Sequence, residues 1–579
     1  MSSNGRSFAL LCVAAVVTAG GLGGCKKPKQ ANGEISRNWV PAKADTVLGV
    51  PSAAVSAALQ SRLAGGPPAP ITADEWKHVG RLYTTFDHSL LWLDDKGARQ
   101  PRVRALLLAV ANADSDALRL DAYPLADLSK ALKDIDDSGS HPTAEQLANA
   151  DVLLSAAFAA LGENMLTGQF QPSALNQNWH INPLEERVDS ALVLTLREDD
   201  LAAGLVRMRP QDPGYDSLRT ALVAFREKVS HGGWAANSVP QGKILKRGDA
   251  APQSRLDSLR ARLRAEGFLN DSGATGGSAS KGRSNRSVYD ASLAAAVAQF
   301  QAHHGIGVDS MLGKETVDAM NVPSQYRLAE IAANLERYRW MPRSLGSRYV
   351  LVNVPEFRLI AYDSAKQSLE MKVIVGQEYE DKATPVFSDS MEYLVFRPYW
   401  NVTPDIASKE IFPKMRADPN YLAANNMEVY SDHGRRAVRQ LPGPKNSLGL
   451  VKFMFPNDFN IYLHDTPNGE LFKKDVRAFS HGCIRVENPS ALAQWALGWS
   501  AERVDSLMHG TTDNKTVKLQ SKIPVYIVYF TTYVRDGQLY FGNDLYERDS
   551  KLVEQIESAA TLSPETVQAQ QALRALAKS

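Results

Sequence analysis

The stretch Ser480-His481-Gly482-Cys483-Ile484-Arg485-Val486, read with Tyr462-Leu463-His464-Asp465-Thr466 upstream of it, decides how this chain is organised. A thiol at its ordinary pKa of about 8.5 is mostly protonated at neutral pH, and only the thiolate attacks a carbonyl carbon. An imidazole able to take that proton makes a Cys–His pair the smallest apparatus for acyl transfer. Two histidines compete for the part. His481 is two residues from Cys483, and across a tight turn its ring need not reach the thiol. His464 ends a predicted strand and approaches Cys483 from the neighbouring one. Gly482 lets the backbone turn its own N–H and that of Cys483 toward a developing oxyanion, with Ser480 and His481 in support.

Around this stretch the pattern has the period of strands. Residues 349–354, 357–362, 371–375, 391–396, 461–463 and 523–533 are short β-branched and aromatic runs divided by Pro, Gly and Asp, which predicts a mainly β domain over 347–549. Residues 401–445 interrupt it with helical and irregular sequence and read as an inserted flap. A helix over 327–340, with Leu328, Ile331, Leu335 and Tyr338 on one face, connects the domain to what precedes it and places a connecting segment at 323–346. Before that lie two helical units: 71–242, where Leu106, Ala109, Val110 and Ala113 keep a helical stripe, and 243–322, interrupted by a polar Gly/Ser-rich insert over 271–287. Residues 25–70 read as a tether, and 550–579 as a polar tail, helical or disordered. The fold class is therefore multidomain α+β.

Composition narrows the function. Lys and Arg number 65 against 64 Asp and Glu, so charge gives no argument for nucleic acid as a partner. Arg6 before an apolar run at 8–19 reads as an export signal too short to span a bilayer stably. Leu22-Gly23-Gly24-Cys25 resembles a bacterial lipobox, which implies a signal peptide over 1–24, an acylated Cys25 and a lipid anchor to a membrane. Of the three cysteines, Cys12 leaves with the signal and Cys25 is capped, so Cys483 is left as a lone thiol in an oxidising compartment. His303, His304 and His433 lack a metal-ligand set, so no metal is expected.

At the Ser-His-Gly-Cys run the chain resembles the L,D-transpeptidases with a YkuD-like catalytic domain. Segments 334–342, 398–402, 439–444 and 446–449 agree with the large Gram-negative branch of that family, as do Tyr83, Trp92 and Asp121-Ala122-Tyr123-Pro124 in a helical scaffold domain. Residues 243–322 resemble a small three-helix peptidoglycan-binding domain, through Gly248-Asp249, the run 296–301 and Gly305-Ile306 with Asp309, Gly313 and Thr316. The resemblance implies Cys483 as nucleophile and His464 as general acid/base. It implies attack on a tetrapeptide stem with release of D-Ala, a cysteinyl thioester, and transfer to diaminopimelate of a second stem as a 3→3 cross-link, without a cofactor. It also implies a periplasmic location, inhibition by carbapenems and D,D-carboxypeptidases as partners. Water as acceptor would make the same site an L,D-carboxypeptidase, and a lipoprotein lysine would make it an attachment enzyme; an idle wall-anchoring lipoprotein is the non-catalytic alternative. Asp465 stands where smaller members have Gly, which leaves the group that orients His464 open. Arg485 is expected to bind a stem carboxylate or to form a structural salt bridge, Trp400 to floor the donor cleft, Tyr462 to line the site, Tyr399 to fill the sheet core, and Arg477 to lie at the surface.

Overall fold

The computed structural model describes residues 35–95, 100–136, 142–175, 178–181, 188–234, 237–269, 287–377, 382–558 and 562–578. The signal segment, Cys25 and nearly all of the Gly/Ser-rich insert lie outside the described residues. No helix among the described residues is long and apolar enough to cross a membrane.

The β domain is a sheet closed on itself. Its strands are β1 (Trp179–His180), β2 (Arg348–Asn353), β3 (Arg358–Asp363), β4 (Lys366–Gly376), β5 (Val386–Phe396), β6 (Val451–Met454), β7 (Leu463–His464), β8 (Ala478–Ser480), β9 (Ile484–Val486) and β10 (Lys515–Val528). Neighbours run β6-β7-β9-β4-β3-β2-β10-β5, and β5 pairs again with β6, so the path has no free edge there. β7 and β9 are parallel, with Leu463 opposite Ile484 and His464 opposite Arg485. Alternation then decides the faces. Val451, Phe453, Leu463, Ile484 and Val486 enter the apolar core, with Leu492, Ala493 and Ala496 of the helix Pro489–Leu497.

The scaffold is built on the helix Ala144–Thr167, whose residues 152–161 are buried all round. Asp151 in that helix accepts the main-chain N–H groups of Leu91, Trp92 and Leu93 and the Tyr83 hydroxyl, while the Trp92 indole donates to Ser155 at 2.8 Å. The buried carboxylate thus ties a loop and two aromatic side chains to one helix, and burial raises its pKa to about 6.

The N-terminal end departs from the sequence reading, and of the two readings of the tail the helical one holds. The segment expected as a tether contains a strand pair, Thr46–Val47 with Val50–Pro51, and the helix Ser52–Ala64, which buries Val55 and Leu59 against the scaffold. These two residues are four apart, the spacing that makes one helical face, in a segment rich in strong helix formers. The polar tail folds as Ser550–Ser558 and Pro564–Leu576, burying Leu552 and Val553, then Ala569, Leu573 and Ala577. The last three recur at every fourth position, a stripe too narrow to raise the overall hydrophobicity of the segment. The flap also differs: besides short helical turns it holds a three-stranded antiparallel sheet, Trp400–Asn401, Arg435–Gln440 and Met427–Asp432 in that order.

The connecting helix Ser324–Arg339 is buried on nearly every side. Arg337 pairs with Asp549 at 2.6 Å, Asn334 exchanges hydrogen bonds with Thr531, and Arg339 donates to the Asp116 carbonyl and the Tyr215 hydroxyl while pairing with Glu336. β and scaffold parts are therefore fastened to one helix. The three helices Gln253–Glu266, Ala291–His303 and Lys314–Asn321 enclose a separate small core. They meet the hairpin Thr532–Arg535/Gln538–Phe541 through the His303 ring, stacked on Tyr540 with centroids 4.2 Å apart. Leu573→Ala should destabilise the scaffold by about 2–5 kcal/mol in urea titration; a tail free in solvent would leave the transition unchanged.

Candidate active site

Of the side chains singled out from the sequence, Cys483, His464, Arg485 and Tyr462 share the outer face of β7 and β9. Lys452 is opposite His464 across β6–β7, and His464 is opposite Arg485 across β7–β9. Tyr462 and Cys483 lie one step before them on the same two chains, joined by the hydrogen bond from the Ile484 N–H to the Tyr462 carbonyl. His464 is buried, while Cys483, Arg485, Tyr462 and Lys452 are half-buried.

The turn into Cys483 depends on Gly482, which sits at φ +109°, a region that side chains resist. Thr384 supports the turn, its hydroxyl donating to the Gly482 carbonyl at 2.9 Å and accepting the Gly376 N–H at 3.0 Å. Ser480 closes it from the other side, donating to the Cys483 carbonyl and accepting the Gly482 N–H at 3.2 Å. The Gly482 N–H is therefore engaged within the turn and does not point to an oxyanion site, contrary to the expectation. The Cys483 N–H has no partner among the described residues.

His464 is oriented by a main-chain group. Its Nδ1 lies 2.6 Å from the Asp465 carbonyl, which as an acceptor requires the proton on Nδ1 and leaves Nε2 with its lone pair. The Asp465 carboxylate turns back and accepts the N–H groups of Leu450 and Thr466, both at 2.7 Å. Asp465 therefore holds the ring with its backbone and the loop at Gly449 with its side chain, a division the sequence left open. Burial, with the Arg485 and Lys452 charges beside the ring, drives the His464 pKa down to about 3. Burial likewise pushes the Cys483 thiol up, opposed by the Tyr462 N–H and hydroxyl and by Arg485 and Lys452. Both partners thus rest uncharged. The thiol donates to the Asn460 carbonyl at 3.7 Å rather than to the imidazole.

His481 faces away from this row, and its Nε2 meets Glu410 of the flap at 2.6 Å. Lys382 reaches the same carboxylate at 3.9 Å, and together they hold Glu410 below the usual carboxylate range despite its partial burial. The flap is thus tied directly to the loop before Cys483. Its base is pinned by Asn446, which donates to the Pro398 and Leu441 carbonyls, and by Gln440, which donates to the Asn425 and Lys445 carbonyls.

Trp400, expected to floor the cleft, pairs with Gln440 in the flap sheet and packs half-buried on the flap cluster of Val402, Ala407, Ile411 and Val438. Tyr399, expected in the sheet core, is half-buried beneath the Arg439 guanidinium at 4.3 Å. Arg477 is buried rather than superficial and donates to the carbonyls of Val373, Lys474, Asp475 and Phe357. Arg485 makes no ion pair among the described residues, and its Nε is buried without a partner. Sequence reading missed Lys452, Thr384 and Glu410. The signal for Lys452 was present as a lone lysine between Val451 and Phe453, where alternation turns it away from the core. Glu410 had no such signal, being 71 positions from His481.

The low His464 pKa has a thermodynamic consequence. Its folded value of about 3 lies below the unfolded value of about 6.5. Between those values the unfolded chain binds more protons, so the stability this residue permits is present above about pH 6.5 and is lost as pH falls toward 3. From pH 6 to pH 4 the wild type should lose about 2–3 kcal/mol more than His464→Asn, read from denaturant midpoints at each pH. Equal losses would place the titration elsewhere.

Comparison with known proteins agrees with this arrangement. Residues 347–527 match the YkuD family, "L,D-transpeptidase catalytic domain", residues 77–222 match "Scaffold domain", and residues 253–320 match "Putative peptidoglycan binding domain". A Haemophilus influenzae protein named "Putative L,D-transpeptidase" is 31% identical over 243 residues, covering 38% of this chain and 48% of that protein. The chain thus matches about half the length of that relative. The solved L,D-transpeptidase of Xylanimonas cellulosilytica is 16% identical, with 50% of this chain and 99% of that one covered and a TM-score of 0.15. The Ldtfm–avibactam carbamoyl enzyme is 12% identical, with 32% and 51% covered and a TM-score of 0.15. The Cys–His face thus lies in a segment that matches the YkuD L,D-transpeptidase catalytic domain, preceded along the chain by segments that match a scaffold domain and a peptidoglycan-binding domain.

Proposed function

We propose that the chain is a peptidoglycan L,D-transpeptidase that forms 3→3 cross-links through a thioester on Cys483. The observation that carries the proposal is the shared face: a lone thiol, and a neutral imidazole whose Nδ1 is committed to the Asp465 carbonyl, leaving Nε2 to accept a proton. A resting thiol and imidazole, both uncharged, suit general-base catalysis in which the proton moves as the sulfur attacks.

In the first half-reaction Cys483 Sγ bonds to the carbonyl carbon between the third stem residue and D-Ala, and its proton passes to His464 Nε2. The Cys483 N–H is positioned to stabilise the oxyanion. The C–N bond then breaks, His464 returns the proton to the leaving amine, and D-Ala departs. In the second half-reaction the side-chain amine of an acceptor diaminopimelate attacks the thioester and gives a proton to His464. The C–S bond breaks, the sulfur takes the proton back, and the new amide is the cross-link. Opening of a carbapenem ring by the same sulfur would leave a stable ester of the same kind. The Glu410–His481 contact ties the flap to the loop before Cys483, and its release would admit substrate. The peptidoglycan-binding domain would hold the enzyme on the wall and a lipid on Cys25 would hold it to a periplasmic membrane, while D,D-carboxypeptidases would supply tetrapeptide donors.

Incubation of the full chain with disaccharide tetrapeptides should yield dimers lacking one alanine by mass spectrometry. Cys483→Ala should lower the yield at least about a thousandfold and abolish carbapenem labelling. Accumulation of tripeptide without dimers would replace the proposal by L,D-carboxypeptidase activity, and the absence of any adduct or product would leave a wall-anchoring protein.

A further inference from the structure

Lys452, His464 and Arg485 form one row across three adjacent strands, on the face that carries Cys483. Two cations on one partly buried face are unfavourable without an anion between them, and a buried guanidinium N–H without an acceptor costs more still. Yet neither Lys452 nor Arg485 makes an ion pair or a side-chain hydrogen bond among the described residues, and Arg485 Nε is buried and unsatisfied. The Lys452 ammonium lies over the Tyr462 ring, 5.6 Å from its centroid.

Among the described residues, Asp465, Glu487 and Glu410 are occupied elsewhere. Asp465 accepts two main-chain N–H groups, Glu487 accepts the Lys372 N–H at 3.1 Å, and Glu410 is held by His481 and Lys382. Among the described residues, the negative charge that would act on both cations is that of a Cys483 thiolate, and the thiol rests uncharged. His464 stays neutral between them, so the row presents two positive charges with no resident anion.

We infer that Lys452 and Arg485 form a carboxylate subsite that binds the free C-terminal carboxylate of the acyl donor, so that cleavage falls one residue from the donor's end. The inference rests on the transpeptidase reading above. In a donor with one residue beyond the scissile bond, the terminal carboxyl carbon lies about 3.5 Å past the carbonyl that Cys483 attacks. Arg485 is two residues along the strand from Cys483, about 6.7 Å, within the span of its own side chain leaning back. A second residue would carry the carboxylate about 3.5 Å further and replace it beside the row with an uncharged amide. The subsite also has a use after cleavage, because the departing D-amino acid keeps that carboxylate and leaves as a zwitterion. Charge-assisted hydrogen bonds of this kind are the strong ones, and Arg485 can offer two parallel donors.

The test uses the full chain and two acyl donors identical except that one ends in D-Ala carboxylate and the other in D-Ala amide, with acylation of Cys483 followed by intact-protein mass. The carboxylate donor should acylate about 10- to 100-fold faster. Lys452→Met should slow the carboxylate donor about tenfold more than it slows the amide donor, so that discrimination collapses. Equal acylation by both donors in the wild type would overturn the subsite while leaving the transpeptidase reading intact, and it decides the matter even where the variant does not fold. Equal slowing of both donors by Lys452→Met would also overturn it, since the lysine would then act on the sulfur or on the fold. No acylation by either donor would instead refute the reading on which the subsite rests.

Discussion

The chemistry of this molecule depends on one short register: Leu463 opposite Ile484 and His464 opposite Arg485 in a parallel pair. Because side chains alternate along a strand, this pairing sends Leu463, Ile484 and Val486 into the core and leaves His464, Arg485 and, one step back, Tyr462 and Cys483 on the other side. A slip of one residue would put the imidazole and guanidinium into the apolar interior, at a cost no short strand could offset. β7 has only two residues and cannot fix this alone. Its register is held from both flanks, by β6 and β9, and from outside by the Asp465 side chain bonded to the loop ahead of β6. Sheet closure through β5 makes any slip on one side felt on the other.

The same logic of shared anchoring applies at the scale of domains. The helix Ser324–Arg339 buries charged and amide side chains that face both the scaffold and the β domain, with Arg339 and Glu336 on one side and Arg337 and Asn334 on the other. Burying ions in this way is a poor source of net stability, because desolvation offsets most of the attraction. Its directional bonds do restrict where the two domains sit relative to each other. Removing one member would leave its partner buried and unpaired, which is the costly outcome. β1, contributed by the scaffold region to the sheet through β5, adds a main-chain connection that a mutation of side chains would not remove.

Much of this was legible in the sequence. The change from helical to strand period near residue 347, the Ser-His-Gly-Cys turn and the histidine on a preceding strand all followed from local pattern. Asp151, Arg477 and Glu410 were illegible for a common reason: each acts on groups far away in sequence, and a single chain carries no trace of which distant carbonyl or N–H a side chain will meet. The N-terminal end was misread for a different reason. A segment expected as a tether folds, and Val55 with Leu59 shows that one narrow stripe is enough when an existing core receives it. The role expected of the Gly482 N–H failed because Ser480, chosen as a mere supporter, competes for it.

The electrostatics of the site then follow from burial more than from pairing. A thiolate–imidazolium pair would gain from mutual attraction, but here the imidazole is sheltered from water and flanked by two cations, so its protonated form is the most disfavoured species on the face. At Cys483 burial also disfavours the charged form, but the Tyr462 N–H and hydroxyl, Arg485 and Lys452 oppose it. The site is therefore asymmetric: the surrounding charges favour an anion at sulfur and add to burial against a cation on His464. An imidazole in that position holds a proton only briefly and returns it readily, which suits the general acid/base role proposed for it.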